Sequence, residues 1–140
     1  MKPIILLDID GVLNPAMESG DGDRPRLAMT SEEIALVRRL AELGRIAWVS
    51  TRPADMVAGL EDQLQLEVEP LRTVMMLRPD EEDQQTPKLG SVSRWLARMD
   101  ALGEADWDSV VWIDDVLGPD AREWAHSYSQ AVLLEKPAPE

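Results

Sequence analysis

Apolar positions in this chain fall into short unbroken runs that alternate with stretches of helical spacing. Residues 3–8 (PIILLD) make an apolar run without helical period, bounded by Pro and Gly, which predicts a buried strand. Residues 15–29 carry Pro, Gly and Asp and read as a loop. In residues 30–44 (TSEEIALVRRLAELG), Ile34, Val37, Leu40 and Ala41 keep helical spacing. Thr30 or Ser31 offers the N-cap there, Glu32 and Glu33 suit the first turn, and Gly44 ends the helix. RIAWVS (45–50) predicts a second strand, and PADMVAGLEDQL (53–64) a helix with Pro53 in its first turn. TVMML (73–77) reads as a third strand, RPDEEDQQTP (78–87) as a polar, solvated loop, and KLGSVSRWLARMDAL (88–102) as a helix. A strand at 109–114 (SVVWID), a short helix at 119–127 (PDAREWAHS), a strand at 131–135 (AVLLE) and a frayed tail complete the pattern.

Strands alternating with helices predict an α/β fold: a mostly parallel five-stranded sheet with helices on both faces, in a single domain over residues 1–140. Ligands of such sheets sit beyond the carboxyl ends of the strands, at a topological switch point. On that edge stand Asp8 after the first strand, Ser50 and Thr51 after the second, and Asp114 and Asp115 after the fourth. Trp48, Trp95, Trp112 and Trp124 fall on strand or helix faces and read as core, whereas Trp107 precedes a strand and is ambiguous.

Composition changes the picture little. A 140-residue chain with 44% hydrophobic residues is a globular domain of ordinary size. No apolar run approaches the roughly 20 residues of a membrane span, and the N-terminus makes a poor signal peptide. The absence of cysteine rules out disulfides and thiolate metal sites and fits a cytoplasmic protein. A formal net charge of -13 repels phosphate backbones at long range, which counts against broad nucleic-acid affinity but not against a local basic pocket.

Asp8 and Asp10 lie two apart where the first strand gives way to a loop, so extended geometry points both to one side, and Gly11 frees the backbone to turn. Together with Asp114 and Asp115 they make four converging carboxylates. Unpaired, such a cluster is costly, because like charges raise one another's pKa. A hard divalent cation removes the problem, and Mg²⁺ takes a few oxygens plus waters and a substrate phosphate. The acids predict a metal, and the metal predicts a phosphate.

DIDGVLN (8–14) resembles the first motif of the haloacid dehalogenase (HAD) superfamily. The other HAD motifs follow in order: AWVST (47–51), PKLGS (87–91) and VVWIDD (110–115). The resemblance spans residues 4–134 and implies a Rossmann-like HAD fold and an Mg²⁺-dependent phosphatase working through an aspartyl-phosphate. It makes Asp8 the nucleophile and Asp10 the general acid and then base, the residue that distinguishes phosphatases from dehalogenases. Ser50 or Thr51 would bind the phosphoryl group, with Gly11 and Arg52 beside it, and Lys88 would neutralise its charge and steady Asp8. Asp8, the Asp10 carbonyl, and Asp114 and Asp115 would hold the metal, with the direct ligand of the last two left open. Asp120 is an outer-shell alternative, but a first-turn acid answering the helix dipole is the favoured reading. His126 reads as a surface or satisfied histidine.

Neither interval in which HAD proteins carry a cap domain has room for one, so the resemblance implies a cap-less member with an open site. Open sites suit a phosphate on the end of something large, or a lid supplied by a second copy in a homodimer. Arg24, Arg26, Arg52 and Arg78 form a candidate basic rim, since guanidinium matches phosphate oxygens. The compact domain is similar to phosphatase modules of nucleic-acid end repair, which makes a polynucleotide 3′-phosphate the leading substrate. A small nucleotide phosphatase, a phosphotransferase and a silent HAD-fold scaffold remain the alternatives.

Overall fold

The computed structural model describes residues 2–19, 25–73 and 75–137. Strand β1 (Ile4–Leu7) forms the centre of a parallel five-stranded sheet, because all four of its side chains are buried and both of its edges are paired. It lies between β4 (Arg45–Trp48) and β6 (Ser109–Ile113). Outside these lie β5 (Leu71–Arg72) next to β4 and β7 (Ala131–Glu135) next to β6, giving the order β5-β4-β1-β6-β7. The chain winds outward from β1 to one edge and then returns to fill the other, so the switch point lies at the carboxyl end of β1.

The period of two along β1 divides the core. Ile4 and Leu6 pack with Trp95, Leu96, Trp107 and Trp112 on the face that carries α3 (Leu89–Ala101) and α4 (Pro119–Ser127). Ile5 and Leu7 pack with Val37, Trp48, Leu60 and Leu64 on the face that carries α1 (Ser31–Leu43) and α2 (Ala54–Leu64). Helices therefore cover both faces, and the α/β expectation holds. Helix α1 starts with a full capping box: Thr30 accepts from the Glu33 N–H, and Glu33 reaches back to the Thr30 N–H. Trp107 proves to be core, stacked on Trp95 at 5.8 Å.

Three sequence expectations need correction. Residues 15–29 are not simply a loop: β2 (Ala16–Ser19) and β3 (Pro25–Ala28) form an antiparallel ribbon. Leu27 anchors it in the second core face, and the Gln63 side chain of α2 donates to the Leu27 carbonyl at 2.7 Å. The third core strand is Leu71–Arg72 rather than 73–77. Its register against β4 pairs Leu71 with Ala47 and Arg72 with Trp48, and Thr73 closes the pairing by donating both its N–H and its hydroxyl to the Trp48 carbonyl. Residue 74 of the expected strand lies outside the described residues; beyond it Met75 packs on the core, Met76 is exposed and Leu77 reaches the site described below, none of them in a strand. Finally, Glu81 in the polar loop is buried, where Arg94 of α3 donates to both its carboxylate oxygens.

Among the described residues, the ribbon and α1 stand between β1 and β4, and α2, β5 and a turn stand between β4 and Lys88. No cap domain stands in either interval among the described residues. Nor is any described helix long and apolar enough to cross a membrane.

Candidate active site

Asp8 leaves β1 with its N–H still bonded to the Ile113 carbonyl of β6, so the sheet itself fixes its position. Its side chain is 3% exposed, and Oδ1 accepts from the Ile9 N–H at 2.8 Å and from Lys88 Nζ at 2.7 Å. Lys88 stands just ahead of α3 and uses its two other hydrogens on the Val49 carbonyl at 3.1 Å and on Asp114 Oδ2 at 3.4 Å. Asp114, 1% exposed, also accepts from the indole of Trp112 and from the Val116 N–H. Three strand ends thus meet around one ammonium group.

The electrostatics follow from burial. Burial and the neighbouring Asp114 carboxylate push Asp8 up from 3.8 to about 7, against the pull of Lys88. Asp114 is raised as well, again chiefly by burial. Burial works against the charge on Lys88, but Asp114 and Asp8 together outweigh it and hold its pKa above the usual value. One ammonium does not satisfy two buried acids.

Asp115 adds a third carboxylate. Ligand oxygens of Asp8, Asp114 and Asp115 all lie within 4.8 Å of one another. The cluster is oxygen-only and partly exposed through Asp115, the donor set that Mg²⁺ takes. Gly11, at φ +85°, makes room for it: a Cβ there would collide with the Asp115 carboxyl group. Its backbone N–H donates to Asn14 Oδ1 at 2.6 Å, and Asn14 itself sits at φ +47°. Asn tolerates that left-handed conformation, so the acid loop is closed by two residues suited to positive φ.

Asp10 points elsewhere. Arg52 grips its carboxylate with Nη2 on Oδ1 at 2.7 Å and Nε on Oδ2 at 3.0 Å. That hydrogen-bonded guanidinium lowers the Asp10 pKa. The Asp10 side chain therefore lies outside the acid cluster, leaving its backbone carbonyl as its route to a metal. Arg52, expected beside the phosphate, has its guanidinium engaged by an acid. Of the two candidates at the end of β4, Thr51 is exposed and lines the site, whereas Ser50 turns back to accept from the Arg52 N–H at 3.0 Å.

These groups surround an open cavity of about 390 Å³, with Leu77, Pro87 and Val116 as its apolar walls. A larger cavity, about 520 Å³, opens at the opposite end of the sheet near Lys2, Arg38 and Arg45. Size is the weaker criterion here, because the acids, the lysine and the switch point all converge on the smaller one. Asp120 takes no part in the acid cluster: it accepts from both the N–H and the hydroxyl of Thr86, and Thr86 in turn accepts from the Gly118 N–H. This buried latch ties the loop before Lys88 to the loop after Asp115. His126 is exposed. Arg24 lies outside the described residues, as does the side chain of Arg26, and Arg78 is exposed without lining the cavity.

The family model for the HAD domain in Swiss Army Knife RNA repair proteins matches residues 4–136. The chain belongs to this family. The match runs from β1 through β7, so it covers every strand that contributes to the site. No curated protein and no solved structure matches the chain. Membership in this HAD family supports a phosphatase-type function, and the oxygen-only cluster of Asp8, Asp114 and Asp115 suits the Mg²⁺ that the superfamily generally uses.

Proposed function

We propose that this HAD domain is an Mg²⁺-dependent phosphomonoesterase that forms an aspartyl-phosphate on Asp8 and acts on a polynucleotide 3′-phosphate. The observation that carries this reading is the meeting of Asp8, Asp114 and Asp115 around Lys88 at the switch point. Lys88 and the Ile9 N–H hold Asp8 Oδ1, which leaves Oδ2 as the oxygen that attacks phosphorus. Lys88 and Thr51 face the phosphoryl oxygens across the cavity and stabilise the charge that builds on them. Asp8, the Asp10 carbonyl, Asp114 and Asp115 would hold Mg²⁺, whose charge offsets that of the acids and of the phosphate. Asp10 gives its proton to the leaving oxygen, then takes one from the water that releases phosphate from Asp8. Among the described residues no cap covers the cavity, which suits a phosphate at a chain end, and membership in an RNA-repair HAD family supports a nucleic acid as that chain.

Phosphate release from a 3′-phosphorylated RNA oligonucleotide and from a 5′-mononucleotide, each with and without Mg²⁺, tests the reading. Mg²⁺-dependent release from the oligonucleotide, abolished in Asp8→Asn, is the expected result. Release from the mononucleotide alone would make the domain a nucleotidase. Silence on both substrates would return it to the scaffold reading.

A further inference from the structure

Residues 50–52, just beyond β4, do three different things. Thr51 is exposed and lines the cavity, Ser50 accepts from the Arg52 N–H at 3.0 Å, and Arg52 forks onto Asp10. Among the described residues, these two bonds from Arg52 are the only ones the Asp10 carboxylate makes. Its side chain is half exposed and follows no regular element, so nothing else fixes its direction. We infer that Arg52 is the positioning residue of the acid–base Asp10 rather than a phosphate ligand, that Ser50 sets the turn that aims it, and that Thr51, which lines the cavity, contacts the phosphoryl group. The inference rests on the phosphatase reading and goes beyond it by dividing the strand end into separate roles.

The physical argument is geometric. Each carboxylate oxygen has two lone pairs, and the guanidinium occupies one on each, fixing the plane of the group and leaving the others for the substrate. A lysine supplies the same charge without the fork, so it cannot fix that plane. An exposed ion pair contributes little to stability, so the pair is not explained by folding. In the first step the Asp8–phosphorus bond forms, the bond from phosphorus to the leaving oxygen breaks, and the proton of the Asp10 carboxyl passes to that oxygen. In the second, water attacks phosphorus, its proton returns to Asp10, and Asp8 is released as a carboxylate with inorganic phosphate. The fork also favours the carboxylate form of Asp10, a cost to the first transfer that correct aim has to outweigh, and both transfers need Asp10 within hydrogen-bond reach of an oxygen on phosphorus.

Leaving-group dependence separates the roles. A 3′-phosphorylated oligonucleotide expels an alkoxide and needs the proton, whereas p-nitrophenyl phosphate expels a stable phenolate and needs it far less. The parameter is kcat/KM, which ends at transfer to Asp8 and so includes the proton donation but not the later hydrolysis in which Asp10 acts as base. Arg52→Gln and Arg52→Lys should each lower it by about 10- to 100-fold on the oligonucleotide and by no more than about threefold on p-nitrophenyl phosphate. Ser50→Ala should show the same selectivity, more weakly, while Thr51→Val should impair both substrates alike. The double variant Asp10→Asn/Arg52→Gln should be no slower than Asp10→Asn, and Tm should move by no more than about two degrees in Arg52→Gln. Equal losses on both substrates, raised KM and additivity with Asp10→Asn would overturn the inference and make Arg52 a phosphate ligand. A wild-type protein inactive on both substrates in Mg²⁺ would instead overturn the phosphatase reading, and the inference with it.

Discussion

Two acid–base pairs in this domain have the same closest approach and opposite electrostatics. Lys88 meets Asp8 at 2.7 Å on the floor of the site, and Arg52 meets Asp10 at 2.7 Å on its rim. Yet the carboxyl of Asp8 is pushed up to about 7, while that of Asp10 is drawn down. Distance to the cation therefore does not decide the outcome. Asp8 has lost its water and shares its lysine with Asp114, whereas Asp10 stays half in solvent with a guanidinium to itself. The floor is short of positive charge and the rim is not. That is why the floor, and not the rim, calls for a divalent ion.

The largest effect tests the floor at its centre. Asp8→Asn should reduce phosphate release by about 10⁴-fold or more, because it removes the proposed nucleophile. The same variant should flatten the pH dependence of stability in metal-free protein. With a folded pKa of about 7 against an ordinary 3.8, Asp8 keeps a proton in the folded state that the unfolded chain has lost. Its contribution to stability is complete below pH 3.8 and declines as pH rises toward 7. Thermal melts in a chelator between pH 4 and 7.5 should show that decline in the wild type and a shallower one in Asp8→Asn. An unchanged slope would place the unmet charge elsewhere.

Next in size is the metal itself. Mg²⁺ at 100 times its dissociation constant should stabilise the protein by about 2.7 kcal/mol. The gain in Tm should be larger at pH 8 than at pH 6, since the ion competes with the proton on Asp8. Asp115→Ala should remove most of it, and Arg52→Gln should leave it intact. Magnesium titrations followed by thermal melts of the three proteins make that measurement, and a loss in Arg52→Gln would erase the distinction between floor and rim.

Gly11→Ala joins a strained φ to a collision with Asp115. It should cost about 1–2 kcal/mol in denaturant unfolding and weaken the Mg²⁺ response together with it. Thr86→Val removes a hydroxyl that bonds Asp120 and Gly118 and does not itself line the cavity. A loss of about 1 kcal/mol in stability, with the Mg²⁺ response retained, is the expected outcome. Urea titrations of both variants rank the two costs.

Much of this was legible along the chain, and the parts that were not share a cause. The strand at Ile4–Leu7, the helix at Ser31–Leu43 and the acids at the strand ends announce themselves through local period and position. The β2–β3 ribbon is hidden because Leu27, its deep anchor among the described residues, packs on α2 far along the sequence, while the Pro, Gly and Asp of residues 15–29 read as loop. The strand after α2 was displaced because apolar character marks what is covered, and Met75 and Leu77 are covered without pairing. Glu81 reads as solvated in a run of acids, and its burial goes with a partner thirteen residues on, Arg94, which donates to both its oxygens. Likewise the partner of Asp10 stands 42 residues away, so an arginine beside a motif read as a phosphate ligand. Long-range pairing is what local pattern leaves out.

Strand β1 carries one more consequence. Its four residues alternate between two separate cores, and Asp8, the proposed nucleophile, follows without a spacer. The strand is thus a ruler with no blank margin. A substitution such as Ile5→Val shortens one mark and leaves the scale in place. Inserting or deleting a single residue between Ile4 and Asp8 instead exchanges the two faces and slides the carboxylate by one strand repeat, about 3.3 Å. Packing and catalysis are read off the same scale here, so the segment tolerates changes of letter and no change of length.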